Sequence, residues 1–445
     1  MNPLLRNLIL FSAMAAALVL TGSMQSWALA LTILNMSLIS AIMALGVNMQ
    51  WGYAGLFNVG IAGFTALGGL AAVLIAMPPV GDAWAAGMAG SDQPWRSGIA
   101  GILLGLSLGG LTLFLAVSIY RRMAPGRLRV LTLLGILVAG YLAAGYFFGP
   151  ARTAIMRVNP ASEGYLGGLG LPVVLSWPVG AAMAGGLAWL VGKVALGLRS
   201  DYLAIATLGI GEIVVAVLKF EGWLSRGVNN VVGIPRAVPR PVELQRLDWV
   251  QQLSERLGLG LAETARIVEL LGYAALFIAV LAILIWLSEK ALNSPWGRMM
   301  RAIRDNETAA RAMGKDVTRR HLTIFVLGSG VCGLAGAMMV TLDGQLTPGS
   351  YEPLRFTFLI WVMVIVGGSG NNWGAVLGGF VIWFLWVQAE PMGRWMMDTI
   401  TSGLASDHPL RVHLMAQAAH TRLIMMGAAL LLMLRFAPRG LIPER

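Results

Sequence analysis

The chain has 445 residues, 57% of them hydrophobic and only 12% charged. A soluble protein carries about 25% charged residues, so this chain cannot cover a water-exposed surface, and disorder is excluded because it needs low hydrophobicity. A single cysteine, Cys332, excludes an intrachain disulfide and a multi-cysteine metal site. The net charge of +11 points to basic loops flanking membrane spans rather than to nucleic acid.

A spanning helix needs about 20 mostly apolar residues. The first such run, 8–22, follows Arg6 and precedes Ala28-Leu29-Ala30, which mimics a cleavable signal peptide. The chain stays apolar beyond Ala30, so 8–22 reads as the first span. Further runs lie at 28–47, 57–77, 98–119, 130–149, 172–192, 202–218, 270–288, 321–341 and 422–436. The run 356–390 is too long for one span, and Gly367-Gly368-Ser369-Gly370-Asn371-Asn372 splits it. None alternates polar and apolar as a membrane strand would. The expectation is an all-α, polytopic transmembrane helical bundle of 10–12 spans, some broken or re-entrant, forming one domain over 1–445.

Loop charges orient the bundle. The 120–129 loop carries Arg121, Arg122, Arg127 and Arg129 and no acid. The 289–320 region holds eight basic residues against Glu289, Asp305, Glu307 and Asp316, and the tail carries Arg435, Arg439 and Arg445 against Glu444. The 220–269 loop balances six Arg with six acids, and 78–97 holds Asp82, Asp92 and Arg96. Twelve crossings with both termini inside put every basic loop in the cytoplasm and every neutral or acidic loop outside; ten crossings with a re-entrant pair fit nearly as well.

The segment 294–322 is too polar for the membrane and rich in helix formers, with Ser294-Pro295 as a start and Gly314 as a stop. Met300, Ile303, Ala310 and Met313 fall at helical spacing and predict one apolar face on a helical hairpin. Such a loop either lies solvated at the interface or docks a cytoplasmic partner.

Glu307-Thr308-Ala309-Ala310-Arg311-Ala312-Met313-Gly314 resembles the loop by which permeases of ATP-binding cassette (ABC) importers engage their ATPase subunits. Gly314 follows Glu307 by seven positions, the offset of the branched-chain amino acid permeases. The segments GVNMQWGYAGLFNVG from Gly46, RSDYLAIATLGIGE from Arg199, VIVGGSGNNWG from Val364 and FAPRGLI from Phe436 are similar to that family in the same order. Together they resemble the LivM-type permease subunit of branched-chain amino acid importers over about 32–442, departing from it at 78–130 and 390–420. The resemblance implies a cytoplasmic coupling loop at 291–320 in which Arg301, Arg304, Glu307, Ala310 and Gly314 contact the ATPase. It also implies a second permease subunit, two cytoplasmic ATPase subunits that use ATP and Mg, and a periplasmic substrate-binding protein, with 220–269 as a periplasmic loop in an inner membrane. Urea or a short amide is an alternative cargo within this class, and an ion-coupled secondary carrier is a competing class.

Glu212 interrupts the apolar run LAIATLGIGEIVVAVL. An ionisable group in a span costs about 2.5–3.5 kcal/mol on insertion scales and is by default a functional candidate. It could meet a substrate ammonium, hold a helix break, or be satisfied by a neighbouring helix. Asn48 and Asn58 bracket a Gly-rich break, and Gly367, Gly368 and Gly370 form another; each either lines a substrate path or is a tight turn. Gly328, Cys332 and Gly336 recur every fourth residue as a packing face. His408, His413 and His420 lack a helical ligand spacing, so no metal is expected. The chain has no G-x-x-x-x-G-K-[ST] phosphate loop, so it binds no cofactor of its own and energy from ATP must come through a partner. The 220–269 loop, with its charged stretch LDWVQQLSERLGLGLAETARIVEL, is either a docking platform for the binding protein or a surface cap.

Overall fold

The computed structural model describes residues 3–89, 98–124, 126–160, 162–405 and 408–444; Asp92, Arg96 and Arg445, which enter the loop charges, lie outside them. The fold is a polytopic helical bundle with almost no sheet. Its main helices are α1 (Pro3–Met24), α2 (Trp27–Ala54), α3 (Ile61–Ala76), α4 (Gly98–Arg122), α5 (Arg127–Arg157), α6 (Ser176–Ala195) and α7 (Ser200–Phe220). They continue with α8 (Leu261–Asn293), α9 (Pro295–Asp305), α10 (Glu307–Ala312), α11 (Val317–Asp343), α12 (Pro353–Gly367), α13 (Asn372–Ile400) and α14 (Thr421–Phe436).

Among the described residues, ten helices are long and apolar enough to cross a membrane, and Ile61–Ala76 and Arg355–Gly367 are shorter apolar ones. At 1.5 Å per residue α3 is about 24 Å long, short of the bilayer core. It fits because its surroundings are protein: nearly every residue of α3 is buried.

Chain direction alternates along the bundle. Gly55, α9 and α10, the 368–371 turn and the tail gather at one end, which is the basic end. At the other end β1 (Val231–Val232) pairs antiparallel with β2 (Gln345–Leu346), joining the 220–260 segment to the turn after α11. The buried carboxylate of Glu269 is clamped there by Arg236 and by Arg266, the latter at 2.5 Å.

Glycines set the packing of the centre. Helices α3, α6 and α11 meet at Gly68, Gly180 and Gly333; a methyl on Gly68 would lie 1.9 Å from the Gly333 carbonyl oxygen. Along α11, Gly328 and Cys332 face Gly46 of α2, while Gly336 faces the Thr65 carbonyl of α3. The four-residue stripe therefore serves two partner helices.

Three features of the structure lie beyond the sequence reading. The charged stretch from Leu247 divides into a helix, Asp248–Leu257, and the first turns of α8, because Gly258 adopts φ +64° between them. The 390–420 region is largely helical, since α13 runs through Pro391 to Ile400. The α4–α5 hairpin packs chiefly on itself, with Phe148 against Gly105 and Thr112 against Gly140, and leaves most of its apolar surface outward. For a segment immersed in lipid, that exposure carries no penalty.

Candidate functional site

The polar segment 294–316 begins where α8 ends. The Ser294 hydroxyl accepts from the Gly297 amide at 3.4 Å, and Pro295 fills the first helical position. Helix α9 follows, with Met300 and Ile303 buried against the bundle. Asn306 then breaks the helix and caps α10 by accepting from the Ala309 amide at 2.9 Å. Gly314, at φ +76°, stops α10, and Asp316 caps α11 through the Arg319 amide at 3.0 Å.

The expected continuous apolar face is thus divided. Its first half, Met300 and Ile303, packs inward; Ala310 is half-buried; Met313 is 79% exposed. Asn306 causes the division by turning the chain between the two helices. On the exposed tip, Arg311 donates to Glu307 at 2.5 Å. Arg301 points back to the Leu292 carbonyl at 3.4 Å.

Arg304 is the anchor of this segment. Its guanidinium donates to the Gly52 carbonyl near the end of α2, to Glu444 at 2.9 Å and to Asp305 at 3.2 Å. Burial alone would lower the guanidinium pKa, but the Glu444 and Asp305 carboxylates outweigh it and hold it above its ordinary value. Glu444 reaches this point because the tail folds back along the α12–α13 turn. The Leu441 amide donates to the Val366 carbonyl and the Ile442 amide to the Gly367 carbonyl, both at 2.9 Å. Gly368, at φ +118°, leaves room for the Ile442 carbonyl, which a Cβ would approach to 2.3 Å.

The two Gly-rich breaks meet different surroundings. Around the second, the Asn48 side chain accepts from the Gly370 amide at 2.8 Å and donates to Asn372 at 3.3 Å. Tyr53 also donates to the Asn372 oxygen, at 3.1 Å, while the Asn372 nitrogen donates to Glu289 at 3.0 Å. These groups open on a cleft of about 400 Å³ at the basic end, lined by Tyr53, Glu289, Arg301, Asn372 and Glu444 among others.

The first break turns back into the bundle. Asn58 donates to Gln50 at 2.9 Å, and its carbonyl accepts from Trp361 at 3.0 Å. The amides entering α3 are satisfied by side chains: Val59 by Thr207 at 3.0 Å, Gly60 by Asn58 at 2.9 Å and Ala62 by Thr357 at 3.3 Å. Irregular backbone at this depth is tolerated only where protein supplies such partners or a cavity is lined.

Glu212 lies elsewhere. Its neighbour Gly211 packs against Gly60 of the first break, but Glu212 itself is on the exposed side of α7. No hydrogen bond or ion pair holds its carboxylate among the described residues. The structure therefore unites Asn48, Gly367, Gly368, Gly370, Arg301 and Arg304 at the basic end, leaves Asn58 deeper, and sets Glu212, Glu307 and Gly314 apart. Sequence reasoning missed Tyr53, Gln50, Glu289 and Glu444. A Glu or Gln amid apolar residues near a span end was the available signal for Gln50 and Glu289.

The comparisons with known proteins agree with this architecture. The family described as branched-chain amino acid transport system / permease component matches residues 143–434. The chain is 28% identical to the high-affinity branched-chain amino acid transport system permease protein LivM of Escherichia coli (strain K12) over 342 residues, which is 76% of this chain and 71% of that protein. It is 25% identical to the probable branched-chain amino acid transport permease protein LivM of Methanocaldococcus jannaschii over 253 residues, covering 56% and 61% of the two chains. Over 186 residues it is 26% identical to the probable permease LivH of the same organism, covering 41% and 50%. No solved structure matches. A multi-pass helical inner-membrane protein with this family match and these relatives belongs to the branched-chain amino acid transport permease family.

Proposed function

We propose that this chain is one of two permease subunits in an ABC importer and moves branched-chain or related hydrophobic amino acids inward. The basic end faces the cytoplasm, 291–320 is the loop engaged by two ATPase subunits that use ATP and Mg, and 220–269 faces a periplasmic binding protein. The single observation that carries this reading is the anchoring of α9 by Arg304 to both α2 and the tail, with α10 projecting beyond it. A push on the exposed Glu307–Met313 tip travels through α9 into α2, whose Asn48 holds the second break. Arg301, Arg304, Glu307, Ala310 and Gly314 form the coupling surface. Asn48, Asn58, Glu212, Gly367, Gly368 and Gly370 line or shape the path through which the spans alternate between outward and inward access.

The test is the ATPase activity of the co-expressed complex, stimulated by binding protein and screened over amino acids and urea. Stimulation by leucine, isoleucine or valine is the expected result. Stimulation by urea or a short amide alone replaces the cargo, and substrate transport by the purified chain without any ATPase overturns the class and favours a secondary carrier.

A further inference from the structure

A second chemical cluster lies at the end of the bundle opposite the coupling helices. The end of α11, the start of α12 and the middle of α13 enclose a cavity of about 350 Å³. That volume is at the small end of ligand pockets, about 300–1,000 Å³. Its charged groups are Asp343, Glu352 and Arg355, and its walls include Phe356, Trp383 and Trp386. The Asp343 side chain is exposed to the cavity mouth and has no hydrogen-bond or ion-pair partner among the described residues. Arg355 lies 3.9 Å from Glu352, too far for a hydrogen bond, and its guanidinium sits 5.1 Å from the centre of the Trp386 ring. The Asp343 carboxylate, in the field of Arg236, and the Arg355 guanidinium, loosely paired with Glu352, thus face one aromatic chamber.

Below the chamber the space narrows to about 20 Å³ between Met36, Met43, Met339 and Met363, with Phe356, Leu359 and Trp383 shared by both. The throat is apolar and built of adaptable thioethers. At about 20 Å³ it holds little more than a water, so a branched side chain rests against its thioether rim and a lipid acyl chain does not enter.

We propose that this chamber binds the zwitterion of an aliphatic amino acid on this chain, with its carboxylate on Arg355, its ammonium on Asp343 and its side chain toward the methionine throat. The inference rests on the importer reading and adds to it a receiving site on the permease itself. Two opposite charges over an apolar floor recognise the common part of the substrate and its hydrophobic part together, which neither Glu212 nor the basic-end cleft does.

The experiment uses the purified transporter complex in phosphatidylcholine nanodiscs and measures displacement of labelled L-leucine by L-leucine, leucinamide and 4-methylpentanoate. Leucinamide lacks the carboxylate and 4-methylpentanoate lacks the ammonium. The wild type is expected to disfavour each analogue at least roughly tenfold, the worth of one charge-assisted hydrogen bond. Arg355→Gln should erase discrimination against leucinamide alone, and Asp343→Asn discrimination against 4-methylpentanoate alone. The Arg355 side chain is 57% exposed, so its variant tests the site even where Asp343→Asn fails to assemble. Unchanged discrimination in both variants overturns the proposal, as does phospholipid retained in the chamber that leucine cannot displace. Stimulation of the ATPase by leucine-loaded binding protein, without leucine binding to the permease, overturns the site and leaves the importer reading standing. Failure of every amino acid to stimulate the ATPase overturns that reading and the site with it.

Discussion

Arg304 and Glu444 stand 140 residues apart in the chain and meet at 2.9 Å. Their pairing fastens α9 to the tail, and the bond from Arg304 to the Gly52 carbonyl fastens both to α2. Three separate parts of the chain are thereby joined at the basic end. The pair is partly exposed, with 23% and 31% of the side chains accessible, so its contribution is that of a screened ion pair, up to about 1 kcal/mol.

Glu444→Gln is expected to lower substrate imported per ATP hydrolysed by about two- to fivefold, the factor such a pair supports. Folding and assembly should persist because the tail keeps its backbone bonds to Val366 and Gly367. Arg304→Ala should cost more, since it also frees the Gly52 carbonyl. A charge swap, Arg304→Glu with Glu444→Arg, should recover only part of the loss, because the swapped pair cannot remake the bond to α2. The ratio of uptake to hydrolysis in proteoliposomes measures all three, and equal ratios in wild type and Glu444→Gln would remove the pair from the coupling route.

The tip of the loop makes a different prediction. Gly314 adopts φ +76° in open space, with no atom within 4 Å of a built Cβ. Gly314→Val therefore carries backbone strain of roughly 1–2 kcal/mol without a clash. Glu307→Ala removes an exposed i, i+4 pair with Arg311, worth about 0.3–0.5 kcal/mol. The double variant should fold and insert normally, yet hold the ATPase subunits less tightly and separate hydrolysis from uptake. Co-purification of the ATPase, with uptake measured in parallel, is the check; unchanged values for both would place the docking contacts elsewhere.

What could be read from the sequence was local in origin. Apolar runs predict the crossings because each span must satisfy its own backbone in lipid. The stripe Gly328, Cys332, Gly336 predicts close packing because only small side chains allow it. The limits of the helix at Ser294 and Gly314 follow from capping chemistry, but the break at Asn306 escaped because the residue stands inside a run of good helix formers. Glu444 escaped for another reason: nothing near it in the chain announces Arg304. Asn48 stands out because it borders a Gly-rich break, either a path lining or a tight turn, yet its partners Gly370 and Asn372 come from a turn more than 300 residues away. Long-range polar contacts depend on tertiary packing, and no spacing rule encodes them.

The meeting of α3, α6 and α11 should be intolerant of added volume. A methyl on Gly68 would lie 1.9 Å from the Gly333 carbonyl oxygen, and one on Gly333 would lie 2.5 Å from the Gly180 carbonyl oxygen. Backbone cannot yield as a flexible side chain can, so Gly68→Ala is expected to destabilise by about 1–3 kcal/mol. Gly186→Ala on α6, where nothing lies within 4 Å, is the matched control and should be neutral. Thermal unfolding in detergent distinguishes them, and equal melting temperatures would contradict the three-helix contact.

Glu212 separates two environments by a single substitution series. On lipid, a carboxylate in mid-span costs about 2.5–3.5 kcal/mol, and the burial pattern of α7 leaves this one on the outward face with no partner among the described residues. If that face only touched lipid, Glu212→Leu would stabilise the chain and leave transport intact. If it faces the second permease across the substrate path, the charge is kept for what passes or binds there, and removal is harmful. The expected outcome is the second: Glu212→Gln keeps assembly and lowers uptake, and Glu212→Leu stops uptake while the isolated subunit becomes no less stable. Measuring subunit stability together with uptake decides the matter, because full-rate uptake by Glu212→Leu would assign this face to lipid.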